Sequence, residues 1–285
     1  MKGIVIIMVR MIVNRTKLPH RKRMGIMCGV SVDTLHNKVT FNWNHDKMNS
    51  NIITLKQDCC GEYTNAGVKY IYGYSYLPSA DESDKQYFRR FIKGKIFKDV
   101  WYREDVLDFI DHGVLNIERY IKFSDIGAII NIKSDSKISV TDIIGNYIDD
   151  YTKCKEYGFH LLKQACEHIT FDAELAYKAL IDAGVSKANA ERKVKIAQET
   201  FDDLKAKNKT FQMKFFSPRE LRSGFMNFLK FKTQEEEDLY RTLQGVNVLV
   251  YDDFITSGST LREATSYLTS INPNNQLIAF ALVKQ

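Results

Sequence analysis

Residues 246–263 read Val246-Asn247-Val248-Leu249-Val250-Tyr251-Asp252-Asp253-Phe254-Ile255-Thr256-Ser257-Gly258-Ser259-Thr260-Leu261-Arg262-Glu263. The run Val246 to Tyr251 is short, apolar and rich in β-branched side chains, the pattern of a buried strand. It ends in two adjacent carboxylates. Phe254 and Ile255 follow, then a hydroxyl-rich loop with one glycine, which opens into a helix from Leu261. Gly258 permits a tight bend and a close approach of backbone to ligand. The first N–H groups of a helix have no internal partners, and the helix dipole adds positive potential there, so a helix start binds anions. Carboxylates beside such a site do not bind the anion itself; they suit sugar hydroxyls or a Mg²⁺ ion. The stretch describes a ligand with a phosphate at one end and a polyol or metal at the other.

Working outward, Leu277 to Val283 forms a further buried strand, after a turn at Asn272-Pro273-Asn274-Asn275. Upstream, Ile126 to Ile132 is another, followed by the polar loop Lys133-Ser134-Asp135-Ser136-Lys137 and a helix opening at Val140. Strand, polar loop and helix thus occur twice. Right-handed crossovers would make the strands parallel and gather both loops at their carboxyl ends, where open α/β sheets bind ligands.

The stretch Val248 to Thr260 closely resembles the phosphoribosyl-pyrophosphate (PRPP) motif of type I phosphoribosyltransferases: four mostly apolar residues, two acids, an apolar pair and a Thr/Ser-Gly-x-Thr/Ser loop. The resemblance implies an α/β fold, a parallel sheet flanked by helices. It implies a transfer of phosphoribosyl from PRPP to a nitrogen base or ammonia, with release of pyrophosphate and with Mg²⁺ as cofactor. Asp252 and Asp253 would hold the ribose hydroxyls, directly or through metal and water. Thr256, Ser257, Gly258, Ser259 and Thr260 would cradle the 5′-phosphate. Lys133, Ser134, Asp135, Ser136 and Lys137 would sit near the pyrophosphate, a plain solvated loop being the alternative there. Within the superfamily the chain is most similar to the competence-protein-F-type branch, through Phe88-Arg89-Arg90-Phe91-Ile92-Lys93 and, more loosely, the stretch Ser217 to Phe231. It departs from that branch in lacking paired zinc-binding cysteines and the Arg-Gly-Phe-Asn signature after the first core strand.

The motif covers under a tenth of the chain, and the compatible architecture covers residues 85–285, with a helical insertion at about 160–210. Residues 141–207 read as almost wholly helical, and their hairpin near Gly184 superficially resembles a helix-turn-helix. Phe211 to Phe216 reads as a strand, and Pro218 opens a short helix whose Arg219 and Arg222 face either the substrate or solvent. Residues 85–98 read as an amphipathic helix with an aromatic face, and 103–122 as helix broken near Gly113. Residues 1–84 are β-rich and read as a hood or subdomain over the site.

A length of 285 residues with 44% hydrophobic and 27% charged side chains suits a globular core of one large domain or two small ones. The net charge of +6 suits an anionic substrate without requiring nucleic acid. Lys17, His20, Arg21, Lys22 and Arg23 form a basic cluster, read as a solvated loop with a phosphate or nucleic-acid patch as the alternative. Five cysteines, Cys28, Cys59, Cys60, Cys154 and Cys166, without a C-x₂-C pair point to reduced thiols and a cytoplasmic setting. The apolar run Gly3 to Val9 is cut by Arg10, too short for a membrane span, and reads as a strand. The partners expected are PRPP and a nitrogen nucleophile, with no membrane, and the oligomeric state is open to a homodimer. A second function class is a non-catalytic PRPP- or nucleotide-binding regulator, or a nucleic-acid-associated protein on the same fold.

Overall fold

The structure, a computed structural model, describes residues 29–43, 50–54, 61–65, 68–97, 100, 103–133, 139–152, 154, 157–209, 211–256 and 258–284. The expected strand at Gly3 to Val9, the basic cluster Lys17 to Arg23, the thiols of Cys28, Cys59 and Cys60, the loop residues Ser134 to Lys137 and Ser257 lie outside the described residues.

In chain order the strands and α-helices are β1 (Gly29–Asp33), β2 (Lys38–Asn42), β3 (Ile53–Thr54), β4 (Gly61–Asn65), β5 (Val68–Ser75), α1 (Glu82–Ile92), α2 (Glu104–Leu115), β6 (Ile126–Ile132), α3 (Val140–Thr152), β7 (Gly158–Lys163), β8 (Thr170–Phe171), α4 (Ala173–Asp182), α5 (Lys187–Ala206), β9 (Phe225–Met226), β10 (Leu229–Phe231), α6 (Gln234–Thr242), β11 (Asn247–Ile255), α7 (Ser259–Ile271) and β12 (Gln276–Lys284). The central sheet has seven strands in the order β10-β7-β6-β11-β12-β5-β4. The five inner strands are mutually parallel and the two outermost pairings are antiparallel. The chain is therefore an α/β protein with a mixed central sheet flanked by helices.

Both faces of the inner strands are covered, so β6, β11 and β12 read as continuous apolar runs rather than as alternating ones. The pleat still sorts their side chains. Leu249, Tyr251, Ile278, Phe280 and Leu282 pack with α1, α2 and α3 through Phe88, Phe91, Phe109, Ile110 and Ile144. Val248, Val250, Leu277, Ala279 and Ala281 pack with α4, α5 and α7 through Leu180, Phe201, Leu261, Ala264 and Leu268. The pleat carries on into Asp252 and Asp253, which leave β11 toward opposite faces.

Several sequence expectations are corrected. The stretch 141–207 is not wholly helical: Gly158–Lys163 is β7, paired parallel with β6, and the helices α4 and α5 follow it. In β7 the buried Phe159 and Leu161 alternate with half-buried His160 and Leu162, a strand period that flanking helices obscured. Phe211 to Phe216 is not a strand; Met213–Phe215 is a 3₁₀ turn and Phe211 and Phe216 are buried anchors. Helix α1 ends at Ile92 instead of running to 98, since Gly94 reverses the chain at φ +63. Helix α2 is not broken at Gly113. A side chain there would meet Leu282 at 2.4 Å and Tyr74 at 2.7 Å, so the glycine lets α2 lie directly on the sheet. The expected boundary at residue 84 runs through the central sheet, because β4 and β5 pair into it beside β12. Among the described residues β1 to β3 form a separate three-stranded sheet and β8 and β9 a two-stranded one; Phe41 of β2 packs on Phe88 and Phe109 at centroid distances of 6.3 and 5.3 Å.

Candidate functional site

The carboxyl ends of β6 and β11 lie side by side, with Tyr251 opposite Asn131. Strand β11 then runs four residues beyond that pairing, through Asp252, Asp253, Phe254 and Ile255, still paired with β12, and carries the acids past the β6 pairing. A cavity of about 480 Å³ opens there. Its floor is the end of β11, Thr256 and the start of α7 at Gly258, Ser259 and Thr260. One wall is Ile132, Lys133, Ser139 and Val140, from the end of β6 to the start of α3. The other walls come from elsewhere in the chain: Arg89 and Lys93 of α1 with Lys95 after it, Lys163 at the end of β7, and Gln212, Met213 and Arg222. Six cationic side chains and two carboxylates line the space, so it is built for an anion.

Gly258 precedes α7 in the left-handed conformation, at φ +70 and ψ 0. This is the conformation that Gly tolerates best, and the nearest atom to an added Cβ is 3.9 Å away, so the requirement is conformational rather than steric. Its carbonyl accepts from the N–H of Arg262 at 2.9 Å, which closes the first turn of α7. The earlier N–H groups of that turn point out of the helix toward the cavity end. No acidic residue occupies the first turn of α7, so nothing on the helix competes for an anion there.

The two acids are adjacent but differently held. Asp253 is 5% exposed, and its Oδ2 accepts a charge-assisted hydrogen bond from Lys93 Nζ at 2.5 Å. Burial alone would raise its pKa. The Lys93 ammonium, with Arg89 further off, overcomes that and holds the carboxyl below the usual range. Asp252 is half-buried, and its Oδ1 accepts from the N–H of Asp253 at 2.8 Å. Burial and the neighbouring Asp253 charge push its pKa up to about 6, with Lys93 and Lys163 opposing. Phe254, next along, carries Arg89 and Lys93 over its ring, each at 5.6 Å.

Of the residues expected at the site, Asp252, Asp253, Thr256, Gly258, Ser259, Thr260 and Lys133 do line one cavity. Lys133 enters it already paired, its ammonium donating to Asp142 in the first turn of α3. Asp142 also accepts from Asn131 Nδ2 at 3.3 Å and from Ser139 Oγ at 3.0 Å. Arg222 faces the cavity and Arg219 does not; Arg219 is exposed and reaches Glu82 at 3.9 Å. Lys95, Lys163, Gln212 and Met213 carry no local motif, while Arg89 and Lys93 lie in the segment Phe88 to Lys93, to which the sequence assigned no site role. The available signal was the spacing of Arg89 and Lys93, four apart on the polar side of α1.

Among the described residues, no group of three or more His, Cys, Asp or Glu side chains is placed to hold a metal. The donor set suits a Mg²⁺ ion that keeps most of its oxygens from water and substrate and takes only one or two carboxylates. Asp252 fits that role best, because a cation would relieve the repulsion that raises its pKa, whereas Asp253 Oδ2 already has Lys93. No helix among the described residues is long and apolar enough to cross a membrane. No protein-family model matches the chain, and no curated protein matches it.

Proposed function

We propose that this protein is a PRPP-dependent phosphoribosyltransferase of the type I fold, acting in the cytoplasm on a nitrogen nucleophile. The observation that carries the reading is the convergence at one cavity of three things: the acids ending β11, the helix start of α7 behind Gly258, and an excess of cations. The 5′-phosphate would take the N–H groups and hydroxyls of Thr256 to Thr260. Asp252 would hold the ribose hydroxyls. The diphosphate would lie toward Lys133 at the end of β6. In the transfer, the nitrogen lone pair forms a bond to C1 of the ribose. The bond from C1 to the diphosphate oxygen breaks, and its electron pair leaves with pyrophosphate. Positive charge develops on the sugar ring, close to the two carboxylates. Mg²⁺, where bound, neutralises charge on the leaving group. The protein's own part is to hold the reactants in line and to exclude water from the cavity.

Replacing Asp252→Asn together with Asp253→Asn removes both charges and keeps the shapes. The expected outcome is a folded protein, by circular dichroism and melting, without PRPP-dependent pyrophosphate release. Turnover like that of the natural protein would sink the assignment. The ion pair on Asp253 favours one second reading, a non-catalytic PRPP or nucleotide sensor, because it leaves a single carboxylate open to the sugar. Calorimetric binding of PRPP with Mg²⁺, but no pyrophosphate release with any base or with ammonia, would select that reading.

A further inference from the structure

Two of the cavity's cations are arginines, and they belong neither to the helix start of α7 nor to the end of β6. Arg89 projects from α1, and Arg222 from the 3₁₀ turn Arg219–Gly224, the two residues standing 133 positions apart in the chain. Both are half-buried. Among the described residues neither forms an ion pair, and Asp253 acts on Arg89 and Glu220 on Arg222 only at longer range. Arg89 lies over the Phe254 ring, and Arg222 is steadied by one hydrogen bond from its Nε to the Phe216 carbonyl at 3.3 Å. That bond takes a single donor of the guanidinium and leaves the terminal nitrogens for something else.

The placement is costly as it stands. Burial disfavours the charge of Arg222, and Arg219 and Arg89 add repulsion. Arg219 is exposed and has Glu82 nearby, so solvent and that acid offset its part. Arg89 and Arg222 share the cavity, where Asp253 offsets part of the first charge and Glu220 part of the second, and an anion between them would offset the rest. Guanidinium groups match an oxyanion through paired, parallel N–H donors, which an ammonium cannot do. The strand-end side of the cavity supplies Lys133 and backbone N–H groups, and the arginines enter it from other elements, Arg89 beside Phe254 and Arg222 beside Phe216.

We propose that Arg89 and Arg222 form a second anion subsite in this cavity, and that the group bound there is the carboxylate of the accepting nitrogen compound. The existence of the subsite does not depend on the phosphoribosyl-transfer reading; the role of its occupant as acceptor does. The geometry explains how walls drawn from α1 and from the segment 212–222 choose a substrate that the motif at 252–260 cannot choose.

Matched pairs that differ in a carboxylate test it: nicotinate against nicotinamide, and orotate against uracil. Binding is measured by calorimetry, alone and with PRPP and Mg²⁺, and pyrophosphate release is measured in parallel. The expected result is a preference for the carboxylated member of at least one pair by about 10- to 100-fold, the worth of a charge-assisted contact. In Arg222→Gln, and separately in Arg89→Gln, that preference should fall to about threefold or less, while the affinity for inorganic pyrophosphate stays within about threefold of the natural protein's. Equal binding of both members of each pair by the unmodified protein would overturn the proposal without any variant. So would loss of pyrophosphate affinity in the two variants with the carboxylate preference intact, which would give these arginines to the leaving group. Carboxylate preference without pyrophosphate release from PRPP would keep the subsite and remove the transferase reading.

Discussion

The cavity has two kinds of wall, and they are built differently. The strand-end wall, from Asp252 to Thr260 and from Ile132 to Val140, is made of residues close in sequence. Its geometry follows from local rules: a strand ends, a glycine turns left-handed, and a helix starts. The second wall is assembled from α1, from the end of β7 and from 212–222. Its residues meet only because the sheet and two helical layers bring them together. A wall of the first kind recurs wherever the motif recurs. A wall of the second kind is where one chain differs from another, so selectivity belongs there. The Lys93–Asp253 pair bonds the two walls directly, beside the Arg89 and Lys93 contacts over the Phe254 ring.

Cutting that bond is the severest test of the comparison. Lys93→Met would leave Asp253 buried and unpaired at the end of β11. Breaking one side of a buried pair costs about 3–5 kcal/mol, and the lower end applies because the Lys93 side chain is 24% exposed. Chemical denaturation should show a loss of about 3 kcal/mol. The double variant Lys93→Met with Asp253→Asn removes both charges and should recover most of that loss. If the single variant were as stable as the natural protein, the two walls would be only neighbours.

Asp252 should respond in the opposite sense. Its folded-state pKa lies near 6, above the ordinary carboxylate value, so the folded protein prefers it protonated. The penalty for ionising it is fully present above about pH 6 and disappears as the pH falls through the unfolded value near 4. Asp252→Asn should therefore stabilise the protein by about 1–3 kcal/mol at pH 8 and by almost nothing near pH 4. Denaturation curves of the two proteins at both pH values measure this. A gain independent of pH would mean that the side chain is fully solvated and that its strained ionisation plays no part at the site.

These differences explain which parts of the molecule could be read in advance. Strands β6, β11 and β12 announce themselves as apolar runs bounded by turns, and Asp252, Asp253 and Gly258 follow from position along one strand and one helix start. Strand β7 escaped notice because Phe159 and Leu161 supply too short an alternation among helices. Strand β5 shows a clear period of two, but nothing local to Val68–Ser75 says that it lies beside β12. Lys93 looked like any lysine on the polar side of an amphipathic helix. Its partner is 160 residues away, and no rule of spacing on one element can find it.

Arg219 and Arg222 bring the contrast to its smallest scale. They stand three apart in Ser217-Pro218-Arg219-Glu220-Leu221-Arg222, and their chemistry is the same, so the sequence treats them alike. The turn Arg219–Gly224 separates them. Leu221 is buried and anchors the turn, which sends Arg222 into the cavity and leaves Arg219 46% exposed, 3.9 Å from Glu82. An exposed pair at that distance contributes between about zero and 0.5 kcal/mol. Arg219→Ala should leave stability within that range and leave pyrophosphate release and the preference for carboxylated acceptors unchanged, in the same assays where Arg222→Gln loses the preference. Equal effects from the two arginines would mean that they act as one surface patch, and that the cavity wall reaches further toward solvent than its lining residues imply.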